Sequence, residues 1–120
     1  MKNIILIGGG GHAFSCIDVI EKEKKYKIIG IVDKKLKIGK KILNYKIIGK
    51  DQNLKDLRKK ADYAFVTVGQ IGLSEIRKNI FLNLKKLGFK LPSIISPNAY
   101  ISKNSKINEG SIIHHGVIVN

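Results

Sequence analysis

A run of four glycines followed by a histidine is the segment of this chain whose residue types best suit ligand binding. The glycines occupy positions 8–11, between an aliphatic run at 3–7 and a helical pattern that continues to about residue 23. This order of strand, glycine loop and helix favours binding of a phosphate group. The bare backbone N–H groups of the loop and the helix N-terminus together attract an anion. The small residues fit the pattern G-x-G-x-x-A at Gly8, Gly10 and Ala13. The loop is therefore predicted to receive a phosphate group.

His12 is the residue of this segment that could offer a side chain to the ligand. It stands in the first turn of the predicted helix, where an imidazole can donate a hydrogen bond to a phosphate or sugar oxygen. The positive end of the helix dipole disfavours a fixed positive charge on the ring. The alternative is that His12 packs against the helix or caps it without contacting a ligand.

Two further buried strands are predicted to end beside the glycine loop. A strand at 27–32 ends at Asp33, and a strand at 64–68 ends at Gly69 and Gln70. Because the carboxyl ends of parallel strands meet at one edge of a doubly wound sheet, we expect these residues and the loop to share one ligand site. Asp33 could accept hydrogen bonds from a ribose or a base there, or it could simply cap a turn.

The other elements of the front part fit a small α/β domain. We expect a short strand within 42–48, a helix over 51–60 with Asp51 near its N-terminus, and an amphipathic helix over 74–87. The apolar face of the last helix consists of Ile76, Ile80, Leu84 and Leu87. The predicted fold class is α/β, with a small Rossmann-like parallel sheet and flanking helices forming a first domain over residues 1–92.

Residues 93–120 follow a different rule, a period of six. An aliphatic series comprises Ile95, Ile101, Ile107, Ile113 and Val119, and a series of small or β-branched residues comprises Ala99, Ser105, Ser111 and Val117. This period fits neither a helix nor an alternating strand, but it is typical of a parallel β-helix whose hexapeptides each form one flat face. The aliphatic series should point into the coil and the small series should lie at its corners. We predict that 93–120 form little more than the first coil of such a β-helix.

The composition narrows the classes of partner. The net charge of +14 would suit a nucleic acid, but the basic residues are spread along the chain and two of them, Arg58 and Arg77, are arginines. We predict no nucleic-acid partner and favour a polyanionic small molecule such as a nucleotide sugar or coenzyme A. The single cysteine, Cys16, permits no intramolecular disulfide and should be a small buried residue on a helix. The run at 3–7 is too short to span a membrane, so we expect a cytoplasmic protein with no membrane partner, and we expect no metal.

The chain resembles one family in the order of its motifs. It has a Gly-Gly-His loop after the first strand, a strand ending in Asp33, a strand ending in Val-Gly-Gln, the helical tripeptide Glu75-Ile76-Arg77, and Ile-Ile-Ser-Pro-Asn-Ala before the hexapeptides. This order is similar to that of the sialic acid O-acetyltransferases and nucleotide-sugar N-acyltransferases (the NeuD/PglD type) of bacterial surface-glycan biosynthesis. The resemblance implies that the first domain binds a UDP-sugar or a sialic acid-type acceptor. It also implies a left-handed β-helix that binds acetyl-CoA as co-substrate, and a homotrimer.

The resemblance also assigns contacts to the residues of the predicted site. It implies that Gly10, Gly11 and His12 contact the nucleotide phosphates and that Asp33 contacts the uridine. It also implies that Gly69 and Gln70 line the same pocket. Two positions depart from the family pattern. Lys34 stands where relatives often have a second acidic residue, and Gln70 stands where they often have asparagine. Both departures bear on the identity of the acceptor sugar.

The resemblance places the catalytic histidine outside this chain. Acyl transfer in the family resembles general-base catalysis by a histidine that an acidic neighbour orients, and on family spacing that histidine lies beyond Asn120. His114 and His115 are instead expected at outward-facing turn positions, exposed or facing a trimer neighbour. We therefore expect an acceptor-binding front part of an O- or N-acetyltransferase that is inactive alone. The alternatives are a non-catalytic nucleotide-binding module and, with less support, an NAD-dependent oxidoreductase.

Overall fold

The computed structural model of the chain describes residues 1–67 and 74–120, apart from the side chain of Ser74. The strands are β1 (Lys2–Ile7), β2 (Tyr26–Val32), β3 (Lys41–Ile42), β4 (Tyr45–Gly49), β5 (Tyr63–Val66), β6 (Ile94–Ile95), β7 (Tyr100–Ile101), β8 (Ile112–Ile113) and β9 (Ile118–Val119). The helices are α1 (Gly11–Glu23), α2 (Leu54–Leu57) and α3 (Ser74–Lys86), and a 3₁₀ helix at Asp51–Asn53 runs directly into α2. Within the described ranges, no helix is long and apolar enough to cross a membrane.

The first five strands form one sheet in the order β3-β4-β2-β1-β5. β1 is an interior strand and pairs in parallel with β2 and β5, β2 pairs in parallel with β4, and the two-residue strand β3 is antiparallel at the edge. β1 is buried on both faces from Ile4 to Ile7, as its uninterrupted aliphatic sequence predicts. The α/β class is thus confirmed, and the carboxyl ends of four parallel strands share one edge.

Helices cover both faces of this sheet. Ala13, Ile17 and Ile20 bury the apolar face of α1 against one side, and Leu54, Leu57 and Leu84 pack α2 and α3 against the other. The helical spacing of α1 therefore gave the correct core residues. The predicted apolar face of α3 was partly wrong, because Leu84 is fully buried whereas Ile76 is half exposed. Ile76 borders a pocket at the sheet edge instead of the core.

Two predicted elements differ in the structure. The segment 42–48 is not one strand but a hairpin, in which β3 and β4 pair with Ile42 opposite Tyr45. The chain reverses at Leu43, whose φ of 55° is left-handed and costs an ordinary side chain about 1 to 2 kcal/mol. The segment 51–60 is shorter as a helix than expected, since α2 ends at Leu57 and the chain turns after it.

The hexapeptide prediction is confirmed by strand pairing across one full coil. β6 pairs in parallel with β8, with Ile95 opposite Ile113, and β7 pairs in parallel with β9, with Ile101 opposite Val119. Partners in each pair are three hexapeptides apart, which is the spacing of successive coils with three faces. The aliphatic series is only partly buried.

The coil docks on helix α1 through a feature that the six-residue period does not predict. Ile94 is fully buried in the core cluster that contains Cys16 and Ile17, and Ile112 packs partly against the same cluster. The isoleucines that precede Ile95 and Ile113 therefore face the α/β unit. At the C-terminal end of α1, the Glu23 carboxylate accepts a hydrogen bond from the Ile95 N–H at 3.2 Å.

Cys16 gives a direct chemical test of this packing. Burial raises the pKa of its thiol to about 11, against the small opposite effect of Arg77. Because the thiolate is the reactive form, we expect no alkylation by iodoacetamide in native buffer at pH 8 and complete alkylation in urea, as measured by mass spectrometry. Alkylation of the native chain at the rate of free cysteine would contradict the burial of α1.

Candidate functional site

The glycine loop connects the end of β1 to the start of α1. Gly8 has a φ of 115°, which ordinary residues rarely adopt, and its N–H donates to the Val32 carbonyl at 2.8 Å. A Cβ on Gly9 would lie 2.8 Å from the Leu36 side chain. A Cβ on Gly10 or Gly11 would meet no heavy atom within 4 Å among the described residues. The fold thus favours glycine at the first two positions, while the last two leave the backbone open at the helix N-terminus.

Asp33, at the end of β2, is bonded to the backbone on two sides. Its Oδ2 accepts from the Gly9 N–H at 2.8 Å, and its Oδ1 accepts from the N–H groups of Lys35 and Leu36 at 2.8 and 2.9 Å. Burial by itself would raise the pKa of the Asp33 carboxyl, but these backbone donors and the nearby Lys50 charge lower it overall. The capping role that the sequence left open is therefore present, and Asp33 also fastens the glycine loop. Its contact with a nucleoside stays a prediction.

Thr67 directly follows β5, another parallel strand that ends at this edge of the sheet. It is buried, and its hydroxyl donates to the carbonyl oxygens of Ile7 and Gly8. Its own N–H donates to the Ile7 carbonyl at 2.9 Å. The predicted site residues Gly69 and Gln70 follow this point and lie outside the described residues.

A pocket of about 330 Å³ opens at this edge, between the strand ends and α3. Its lining includes the predicted residues Gly8 and Asp33. It also includes Lys34, Lys35 and Asp51, which were not predicted to contact a ligand. Asp51 could have been found from the sequence, because it comes two residues after the end of β4, and the ends of parallel strands share an edge.

His12 lies in the first turn of α1 and contacts a histidine from the coil. Its ring is 6.3 Å from that of His114, measured between centroids, in an edge-to-face arrangement. Burial lowers the pKa of His12, and the charges of His114 and Arg77 lower it further. The ring is therefore a neutral imidazole at pH 7, which can donate one hydrogen bond to an oxygen atom.

His115 ties the coil to α1 through two hydrogen bonds. Its Nε2–H donates to Asp18 Oδ2 at 2.8 Å, since a carboxylate can only accept, and its Nδ1 is bonded to the hydroxyl of Ser96. The three residue types are those of a hydrolase triad, but Ser96 is 1% exposed and its oxygen also accepts from the Asn98 N–H. The set is therefore a link between elements and not an accessible nucleophile.

The two turn histidines lie on the outer side of the coil, as the sequence predicted, and His115 is exposed there. Their contacts with helix α1 were not predicted. The six-residue period identifies the turn but carries no information about which element lies against it. In the part of the chain that the structure describes, no three histidine, cysteine, aspartate or glutamate side chains converge as a metal ion would require.

The chain belongs to the family of the PglD N-terminal domain, whose family model matches residues 3–84. This confirms the resemblance to the NeuD/PglD type. No curated protein matches the sequence.

Solved structures give similar folds over nearly the whole chain. A mutant of perosamine N-acetyltransferase from Caulobacter crescentus, in complex with CoA and GDP-perosamine, is 27% identical with a TM-score of 0.89, covering 100% of this chain and 55% of that one. The acetyltransferase domain of PglB from Neisseria gonorrhoeae, in complex with acetyl coenzyme A, is 27% identical with a TM-score of 0.81, covering 98% and 55%. RSP, a Rex-family repressor, shares the fold alone, at 19% identity and a TM-score of 0.53, covering 98% and 53%. The chain spans about half the length of the structures it matches.

Proposed function

We propose that this chain is the acceptor-binding part, with the first β-helix coil, of an acetyl-CoA-dependent sugar O- or N-acetyltransferase of bacterial surface-glycan biosynthesis. One observation carries the proposal. The open backbone of Gly10 and Gly11 lies at the N-terminus of α1, and the same chain continues into a hexapeptide coil packed on that helix. The family of the chain and the acetyltransferases of similar structure support the same conclusion.

In this proposal each part has a separate task. Residues 1–92 bind the acceptor, and residues 93–120 begin the β-helix whose later coils meet acetyl-CoA and supply the catalytic histidine. The acceptor is a sialic acid-type sugar or a nucleotide sugar, linked to UDP as the resemblance implies or to GDP as in the perosamine complex. A homotrimer and a cytoplasmic location belong to the same proposal, since both substrates are cytoplasmic metabolites.

Calorimetry with UDP, GDP and NADH tests the proposal on the 120-residue chain. We expect UDP or GDP to bind more tightly than NADH, and we expect no release of free CoA thiol from acetyl-CoA with any amino sugar added. Tighter binding of NADH would favour an oxidoreductase and overturn the proposal. Tight nucleotide binding by a longer chain that contains further coils, again without acetyl transfer, would favour a non-catalytic binding module.

His12→Ala should weaken binding of the favoured nucleoside diphosphate about tenfold, because a hydrogen bond to a charged oxygen is worth roughly 1.5 kcal/mol. The neutral state of His12 predicts that His12→Gln, which keeps an N–H donor, retains most of the affinity. Isothermal titration calorimetry compares the three proteins. Equal affinities for the wild type and His12→Ala would show that the imidazole only packs against His114.

A further inference from the structure

The two carboxylates that line the pocket at the sheet edge are not equally available to a ligand. A carboxylate offers about four lone-pair positions, and Asp33 uses three of them for the N–H groups of Gly9, Lys35 and Leu36. Asp51 lines the same pocket and is exposed. No hydrogen bond or ion pair engages the Asp51 side chain within the ranges 1–67 and 74–120. The acceptor capacity of the pocket therefore resides mainly in Asp51.

The position of Asp51 relative to the turn after β2 is fixed by its neighbour Lys50. The Lys50 ammonium donates to the carbonyl oxygens of Lys34 and Leu36, at 3.3 Å for Lys34. Asp33 holds the N–H groups of that turn from the other side. The Lys50 N–H in turn donates to Asn53 Oδ1 at 2.8 Å, which fixes the start of the 3₁₀ helix. The chain segments that carry Asp51, Lys34 and Lys35 are therefore fastened to each other before any ligand arrives.

We infer that Asp51 is the residue that recognises the base of the nucleotide, with Lys34 and Lys35 donating to an adjacent carbonyl oxygen; this inference rests on the proposed function. Uracil and guanine both present a ring N–H beside a carbonyl oxygen, so a carboxylate and an ammonium group can bond to neighbouring atoms of one edge. Cytosine and adenine carry a lone pair at the corresponding ring nitrogen, which a carboxylate repels. The pocket thus selects a keto base, and the lysine at position 34 becomes a part of this recognition.

The same set of groups explains how the chain can lack a second acidic residue after Asp33. Lys34 follows Asp33 directly and cannot accept a hydrogen bond. The end of the neighbouring parallel strand β4 supplies a carboxylate to the same pocket at Asp51. Acceptor and donor groups are therefore both present, from different strand ends.

Calorimetry with UDP, GDP, CDP, ADP and inorganic pyrophosphate tests the inference on the wild type and Asp51→Asn. We expect UDP or GDP to bind the wild type at least tenfold more tightly than CDP and ADP. Asp51→Asn should weaken the favoured nucleotide at least tenfold and reduce this preference, because an amide can both donate and accept. Binding of pyrophosphate, which has no base, should be unchanged.

Asp56→Asn is the matched control, because Asp56 is exposed in α2 and has no part in the pocket lining. It makes the same change in charge and should leave every affinity unchanged. Thermal melts should show native stability for both variants, and Asp51→Ser serves as the second variant if Asp51→Asn does not fold. Equal nucleotide affinity in the wild type and the position 51 variant would overturn the inference while the proposed function stands. A wild type that binds no nucleoside diphosphate would overturn the inference and would restrict the proposed function to a sialic acid-type acceptor.

Discussion

Gly30→Ala is expected to lower the free energy of unfolding by about 2 kcal/mol, the size of effect that overpacking a filled core produces. Gly30 is buried in the middle of β2, and a Cβ there would lie 2.5 to 2.7 Å from three atoms of the Ile48 side chain. Two of those atoms are attached directly to the Cβ of Ile48 and cannot move without a change of χ1 or of the backbone. The methyl group should therefore push β4 away from β2.

Urea denaturation followed by circular dichroism measures this effect, and a second substitution tests its cause. In an Ile48→Ala background the space beside Gly30 is free, so Gly30→Ala should there cost at least 1 kcal/mol less than in the wild type. Strictly additive changes in the two variants would show that the contact with Ile48 is not the reason. Because Asp33 and Asp51 follow the ends of β2 and β4, the single variant should also weaken nucleotide binding.

Local sequence patterns predicted the elements that carry the glycine loop. Continuous aliphatic residues gave β1 and β2, and helical spacing gave α1, because burial on two faces and burial on one face leave different periods in the sequence. The reversal at Leu43 was not predictable in this way. It contains no glycine or proline, and the left-handed backbone of Leu43 is held by pairing between Ile42 and Tyr45, a contact that the local sequence does not specify.

In the hexapeptide region, too, the local sequence does not specify contacts with distant segments. The six-residue period predicted the coil, and the observed pairing of Ile95 with Ile113 agrees with it, because strand register within a coil follows from the repeat. The period says nothing about the outer face of the coil. That Ile94 enters the core and that His115 bonds to Asp18 follow from docking between distant segments. The candidate site at the sheet edge was predictable in part. Ligands bind at the carboxyl ends of parallel strands, and this rule identified Gly8 and Asp33.

Gly11→Ala is expected to increase stability and to damage binding at the same time. Gly11 is the first residue of α1, where alanine is favoured over glycine by about 0.5 to 1 kcal/mol. A Cβ at this position meets no protein atom within 4 Å in the described ranges, so no clash offsets that gain. The same methyl group would stand where the proposed function places a phosphate against the backbone. We expect nucleoside diphosphate binding to weaken about 30-fold, roughly 2 kcal/mol.

Gly9→Ala supplies the contrast at a glycine two residues away. Its Cβ would lie 2.8 Å from Leu36 and 3.1 Å from Ile47, both at the mobile ends of side chains, so we expect a loss of about 1 kcal/mol in stability. Thermal melts and calorimetry on both variants should therefore give melting temperatures that move in opposite directions, with the larger loss of affinity in the more stable protein. Unchanged affinity in Gly11→Ala would mean that no ligand approaches the loop there, and the phosphate site would have to be sought elsewhere.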